Sequence, residues 1–224
     1  MTHRHAALVA SITVVLTAAL AYSTLNPPAP AFDPLDDTML AAQSPAPCVT
    51  PPLSSHSVAP QTTLIYRYVG RWDRDAQACT TRAFATWNTY LDTTPLGIRF
   101  APYPEEAPAS LVQHISVIHT FLPHNTAGAI TEVTRDSRGY AAGVGVLINN
   151  NSDTVSSCLG YYKVAMHELG HVLGLSHPRG DHASSIMNDM AGKNDLNEAM
   201  PIAPTWCDLT QIQVASRQPL FPKP

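Results

Sequence analysis

The sequence predicts an α+β fold on three observations. Short β-branched and aromatic runs come mostly in the first half of the folded part, helix-periodic runs flank or follow them, and no internal repeat appears anywhere. The first strand is expected over residues 64–69, where Leu64, Ile65, Tyr66, Tyr68 and Val69 are β-formers closed by Gly70. A helix follows from Asp75, a suitable N-cap, to about Leu91, with Ala78, Ala83, Phe84, Trp87 and Leu91 sharing a face. Residues 98–100, 115–118, 129–133 and 143–148 read as further strands. A second helix is expected over residues 160–173, and a third over 209–217 after Asp208 as N-cap.

The chain has 224 residues, with 13 Lys+Arg against 17 Asp+Glu and a net charge of -4. Without a basic excess it lacks the electrostatic footprint of a nucleic-acid binder. Nine of its 20 prolines fall between Asn26 and Pro60, which points to one folded domain behind a non-globular leader. Residues 1–21 read as a signal peptide: Arg4 and two histidines precede an uncharged apolar run that ends in Ala19, Leu20 and Ala21. The alternative is an uncleaved anchor that would hold the domain on the outer face of a membrane. Residues 22–60 read as a Pro-rich linker or short pro-segment, and residues 61–224 as the folded domain that carries any activity. Export makes two disulfides the expectation for Cys48, Cys79, Cys158 and Cys207. Of three connectivities, Cys48 with Cys79 and Cys158 with Cys207 is the one favoured here.

The chemistry concentrates in one segment. His167 and His171 lie one helical turn apart, so two imidazoles can meet one Zn²⁺, and Glu168 lies next to the first of them. Gly174 can leave the helix in a left-handed conformation and bring His177 in as a third ligand. A fourth position left open marks a catalytic site. His56 and His182 are read as solvated surface histidines.

His167, Glu168, His171, Gly174 and His177 together resemble the long signature of the metzincin zinc endopeptidases. Ser184, Ser185, Ile186 and Met187 resemble the Met-turn of that clan, in which Met187 would form an apolar floor under the histidines. Within the clan the chain is most similar to the matrixins, over most of residues 64–217. The resemblance implies a sheet of about five strands whose antiparallel edge, residues 128–133, pairs with an extended peptide substrate. It also implies hydrolysis of internal peptide bonds, with Glu168 as general base on a water activated by the metal. Pro178 is closer to the serralysin branch, but no Gly-rich calcium repeats follow, and Asp189 stands where that branch has a tyrosine ligand. The calcium turn of the matrixins corresponds to Asn149, Asn150, Asn151, Ser152 and Asp153, which is poor in carboxylates. For a second, structural zinc, His114, His119, His124 and Asp136 lie in the matching region with a different spacing. Pro47, Cys48, Val49, Thr50 and Pro51 resemble faintly the pro-segment cysteine that keeps matrixins inactive, an alternative to a disulfide for Cys48.

The expectation is a secreted, monomeric zinc endopeptidase acting on protein or peptide substrates. Two alternatives stay open: a zinc hydrolase that does not cleave peptides, and a secreted adhesion or interaction module that binds zinc without catalysis.

Overall fold

Strand β1 (Thr63–Val69) runs into helix α1 (Arg74–Leu91), and β2 (Arg99–Pro102) returns parallel to β1, pairing Leu64 with Phe100. The protein is described from a computed structural model, over residues 50–104, 114–123, 126–130, 133–150, 155, 157–178, 185–188 and 202–217. After β2 come β3 (His114–Thr120), β4 (Gly128–Ile130), β5 (Thr134–Arg135), β6 (Ala141–Asn149), α2 (Cys158–Val172) and α3 (Trp206–Arg217). The sheet order is β2-β1-β3-β6-β4, with β5 also on β6. β1, β2, β3 and β6 are parallel, whereas β4 and β5 run antiparallel to β6. The α+β class and mixed sheet are those expected.

The parallel core reflects burial. Nearly every residue of β6 is buried, as expected of a strand covered on both faces. β4 closes the order as an edge strand. The expected edge strand continued through Val133, but Thr131 and Glu132 lie outside the described residues.

Each helix starts where a side chain satisfies its free N–H groups. For α1 that residue is Asp73, not Asp75: its backbone is extended, and its Oδ1 accepts from the N–H groups of Asp75 at 2.9 Å and Ala76 at 3.3 Å. Asp75 contributes as a first-turn acid instead. Ser157 caps α2 by accepting from Gly160 N–H at 3.0 Å, two residues earlier than expected. α3 opens with a reciprocal capping box. Asp208 N–H donates to Thr205 Oγ1 at 3.3 Å, and Thr205 N–H donates to the Asp208 carboxylate at 2.8 Å, so Asp208 lies inside the helix and Thr205 is its cap.

Trp87 of α1, fully buried, donates its indole N–H to the Met166 carbonyl of α2 at 3.0 Å. The same helix pair corrects the expected disulfides: Cys79 of α1 is bonded to Cys158, the first residue of α2, across a Cα separation of 5.3 Å. Both expected pairs are thereby excluded. Proximity in sequence is a poor guide because loop-closure entropy grows slowly with length, whereas helix packing brings two distant cysteines together. Cys207 is disulfide-bonded too, and Cys48 lies outside the described residues.

Residues 50–60 pack with the folded unit. Pro51, His56, Ser57, Val58 and Ala59 are buried, so the folded unit starts upstream of Gln61. The described residues all fall in one compact unit, Gln43–Pro224. The expected signal peptide lies outside the described residues, among which no helix is long and apolar enough to cross a membrane.

Candidate active site

His167 and His171 project from α2, which ends in a Schellman motif. Gly174 has φ +99, its N–H donates to the His171 carbonyl at 3.0 Å, and Leu175 N–H donates to the Gly170 carbonyl at 3.0 Å. A left-handed residue is needed at this point, and a Cβ there would lie 2.8 Å from the carbonyl oxygen of His56. The reversal carries the chain back to His177. The ligand nitrogens of His167, His171 and His177 lie within 4.8 Å of one another.

The protons on these rings fix their chemistry. His167 Nδ1 lies 2.8 Å from the Ile186 carbonyl and His171 Nδ1 lies 2.9 Å from the Leu175 carbonyl, so each Nδ1 carries the hydrogen and donates it. Their Nε2 lone pairs then face His177 Nε2 at 2.9 and 3.0 Å. Converging lone pairs repel unless a cation lies among them, so the donor set fits a metal ion that takes neutral imidazoles. Burial pushes both pKa values down, His171 to about 4 and His167 well below its usual value, with the neighbouring histidines adding to the effect. Both are therefore neutral ligands at pH 7.

Met187 packs against α2 at Gly170, between the two histidines in sequence. It is fully buried, and a Cβ on Gly170 would fall on its sulfur, so a glycine between the two ligands lets the methionine pack against the helix. The turn is pinned by Asp208, which sequence reasoning took only for a helix cap. Ser185 Oγ accepts from Met187 N–H at 3.0 Å and donates to Asp208 Oδ1 at 2.9 Å, while Thr205 holds Oδ2. Burial raises the Asp208 pKa, and the hydrogen bonds from Thr205, Ser185 and Ile186 oppose it. The spacing of Thr205 and Asp208, that of a capping box, was the signal available in the sequence.

Glu168 is 3 % exposed, and burial pushes its pKa up to about 8. Its Oε2 has no hydrogen-bond partner among the described residues. Above it passes β4, so close that a Cβ on Gly128 would lie 2.7 Å from Glu168 Oε1 and 2.7 Å from Val164 Cγ1. Nothing in the sequence singled out Gly128.

Of the residues considered for a second zinc, the three that are described, His114, His119 and Asp136, do not form a ligand group. His119 stacks on Trp72 at 4.8 Å between ring centroids and lies 3.1 Å from the Tyr161 hydroxyl, and Asp136 pairs with Arg138 at 2.9 Å. His124 lies outside the described residues. Among the described residues, His167, His171 and His177 are the one group of three or more candidate metal ligands. In the segment that corresponds to the calcium turn of the matrixins, the Asn149 amide is occupied: it donates to the Pro123 and Thr126 carbonyls and accepts from Leu122 N–H. Asn151, Ser152 and Asp153 lie outside the described residues, as do Ser184, His182 and Asp189. His56 is 4 % exposed and not solvated: residues 52–57 dock against the turn after α2.

A model of the peptidase family described as Matrixin matches residues 64–213. Among solved structures, the chain is similar to high choriolytic enzyme 1, a hatching enzyme zinc-protease from the medaka fish Oryzias latipes. The TM-score is 0.41 at 16% identity, over 69% of this chain and 88% of that one. It is also similar to myroilysin, with TM-score 0.46 and 12% identity over 74% of this chain and 98% of that one. No curated protein matches the chain. With three imidazoles converging below an edge strand and a family match over two thirds of its length, the chain belongs to the matrixin family of zinc endopeptidases.

Proposed function

We propose that the protein is a secreted endopeptidase in which His167, His171 and His177 hold one zinc ion and Glu168 is the general base. The observation that carries this reading is the position of Glu168, buried beside the convergent imidazoles with a free carboxylate oxygen. Zinc held there would supply Lewis acidity, polarising the scissile carbonyl and making the attacking water more acidic. Glu168 takes the proton of that water and later delivers it to the leaving amine. Its burial suits both roles, since a carboxyl whose pKa is raised towards neutrality accepts and returns a proton readily. Met187 and Asp208 keep the ligand rings in place. The edge of β4 offers backbone groups to an extended substrate.

Export is supported by the N-terminal apolar run and by the Cys79–Cys158 disulfide, a bond that persists in oxidising compartments. Residues 1–21 are then the signal peptide. The tether ends before Pro51, and the residues that follow it form the catalytic domain.

Metal analysis, combined with cleavage of an unfolded protein substrate with and without a chelator, tests the reading. One zinc per chain and chelator-sensitive cleavage are expected. Glu168→Ala should keep its zinc and lose at least about 10²-fold in rate, the share a general base contributes. Rates near those of the parent would remove Glu168 from this role, and zinc without cleavage by the parent would favour a non-catalytic binding module.

A further inference from the structure

His177 lies beyond the end of α2, so no helical hydrogen bond fixes it relative to His171. Its position depends on the connector formed by residues 173–176. Residues 52–57, upstream of the stretch matched to the family, run along this connector as an antiparallel strap. Ser54 N–H donates to the Gly174 carbonyl at 2.9 Å, and Ser176 N–H donates to the Pro52 carbonyl at 2.8 Å. Leu53 and Leu175 form the bridge between them.

The third bond comes from a side chain. His56 Nε2 lies 2.7 Å from the backbone carbonyl of His171 and donates to it, since a carbonyl oxygen can only accept. The ring is held in that pose by burial and by Ser54 Oγ, 3.3 Å from Nδ1. The strap is anchored on its far side as well: Ala141 N–H of β6 donates to the Ser57 carbonyl at 2.8 Å, Val58 is fully buried, and Arg135 donates to Ser55 Oγ at 3.3 Å. It therefore links the sheet to the backbone of one expected ligand and to the segment that delivers the next.

We propose that His56 is a positioning residue of the metal site, and that the strap sets the approach of His177 to His171. Partners that orient metal ligands from outside the coordination shell commonly contribute 10–100-fold in affinity or activity. This inference rests on the zinc reading above for its metal readout, and carries a second readout that needs no metal.

The test compares three variants of the full chain. His56→Leu fills the space without a donor, His56→Gln restores an N–H of similar reach, and Phe100→Leu loosens the core on β2, the edge of the sheet opposite β4. His56→Leu is expected to release zinc to a chelator about 10–100-fold faster than the parent and to lower kcat more than it raises KM. His56→Gln should recover most of both. Phe100→Leu should lower the melting temperature while leaving zinc release unchanged. In the metal-free protein, amide hydrogen exchange over residues 173–177 should quicken in His56→Leu and not in His56→Gln. His56→Ala takes the place of the leucine variant if the latter does not fold. Parental zinc release and exchange in a folded His56→Leu protein would overturn the proposal, as would a glutamine variant no better than leucine or a Phe100→Leu protein that leaks zinc as fast. A parent that takes up no zinc would defeat the metal reading, and the exchange comparison would still decide the strap.

Discussion

Gly128 and Glu168 form a pair whose importance is set by one missing methyl group. With hydrogen at the α-carbon, β4 can pass directly over the carboxylate and keep it buried; with a Cβ, Glu168 Oε1 and Val164 Cγ1 would each be met at 2.7 Å. Contacts that close force either the edge strand or the carboxylate to shift. Gly128→Ala should therefore bind zinc as the parent does but lose about 10²-fold in kcat/KM, because a displacement of about 1 Å at a reacting group costs that much. Steady-state kinetics beside metal analysis check this, and parental kcat/KM would show that β4 has room to spare. The spacing of His167, Glu168, His171, Gly174 and His177 is local, set by helical geometry and one left-handed turn, so these residues were legible in the sequence. Gly128 and His56 were not. Each acts through a contact with a residue 40 or 115 positions away, for which a single sequence carries no pattern.

Among the elements, α2 bears the site and is fixed at both ends. At its start, Ser157 caps it and Cys158 ties it to Cys79 of α1; at its end, the Schellman turn and the strap hold it. The middle is held by Trp87, whose indole bonds the Met166 carbonyl. The disulfide closes a loop of 79 residues, so replacing Cys79 and Cys158 together by serine should lower stability by about 2–5 kcal/mol. Denaturant unfolding reads that loss. The site itself should survive at low temperature, because His167 lies more than two turns from Cys158 and keeps its own partner, the Ile186 carbonyl. A double variant as stable as the parent would show that helix packing alone anchors α2. The existence of most elements was legible from periodicity, while helix starts were displaced by two or three residues where two capping side chains competed, as at Asp73 and Asp75 or at Thr205 and Asp208.

For the folded unit as a whole, the α+β class was legible, but the strand order and the upstream boundary were not. Parallel pairing of β1 with β3 joins segments about 50 residues apart, and no local signal specifies it. The strap misleads for a different reason: its composition is that of a tether, yet it docks through backbone groups, and Pro52 serves as an acceptor, the one hydrogen-bonding role left to a proline backbone. The sheet that results ends in β4 on the side of Glu168. β4 pairs with β6 through Ile148, Leu147 and Val146, ends the strand order, and lies against Glu168. An edge strand presents unpaired N–H and C=O groups, so a substrate bound there should add as a further strand, with its backbone recognised along with its side chains. Methylating the backbone nitrogens of a good peptide substrate at alternate positions removes the donors that face β4 in one register and those that face away in the other. One of the two series should lose roughly tenfold or more in kcat/KM, the sum of two or three hydrogen bonds of about 1 kcal/mol each, while the other is cleaved much as the parent peptide. If both series were cleaved equally well, the substrate would not be held as a strand of this sheet, and recognition would rest on side chains alone.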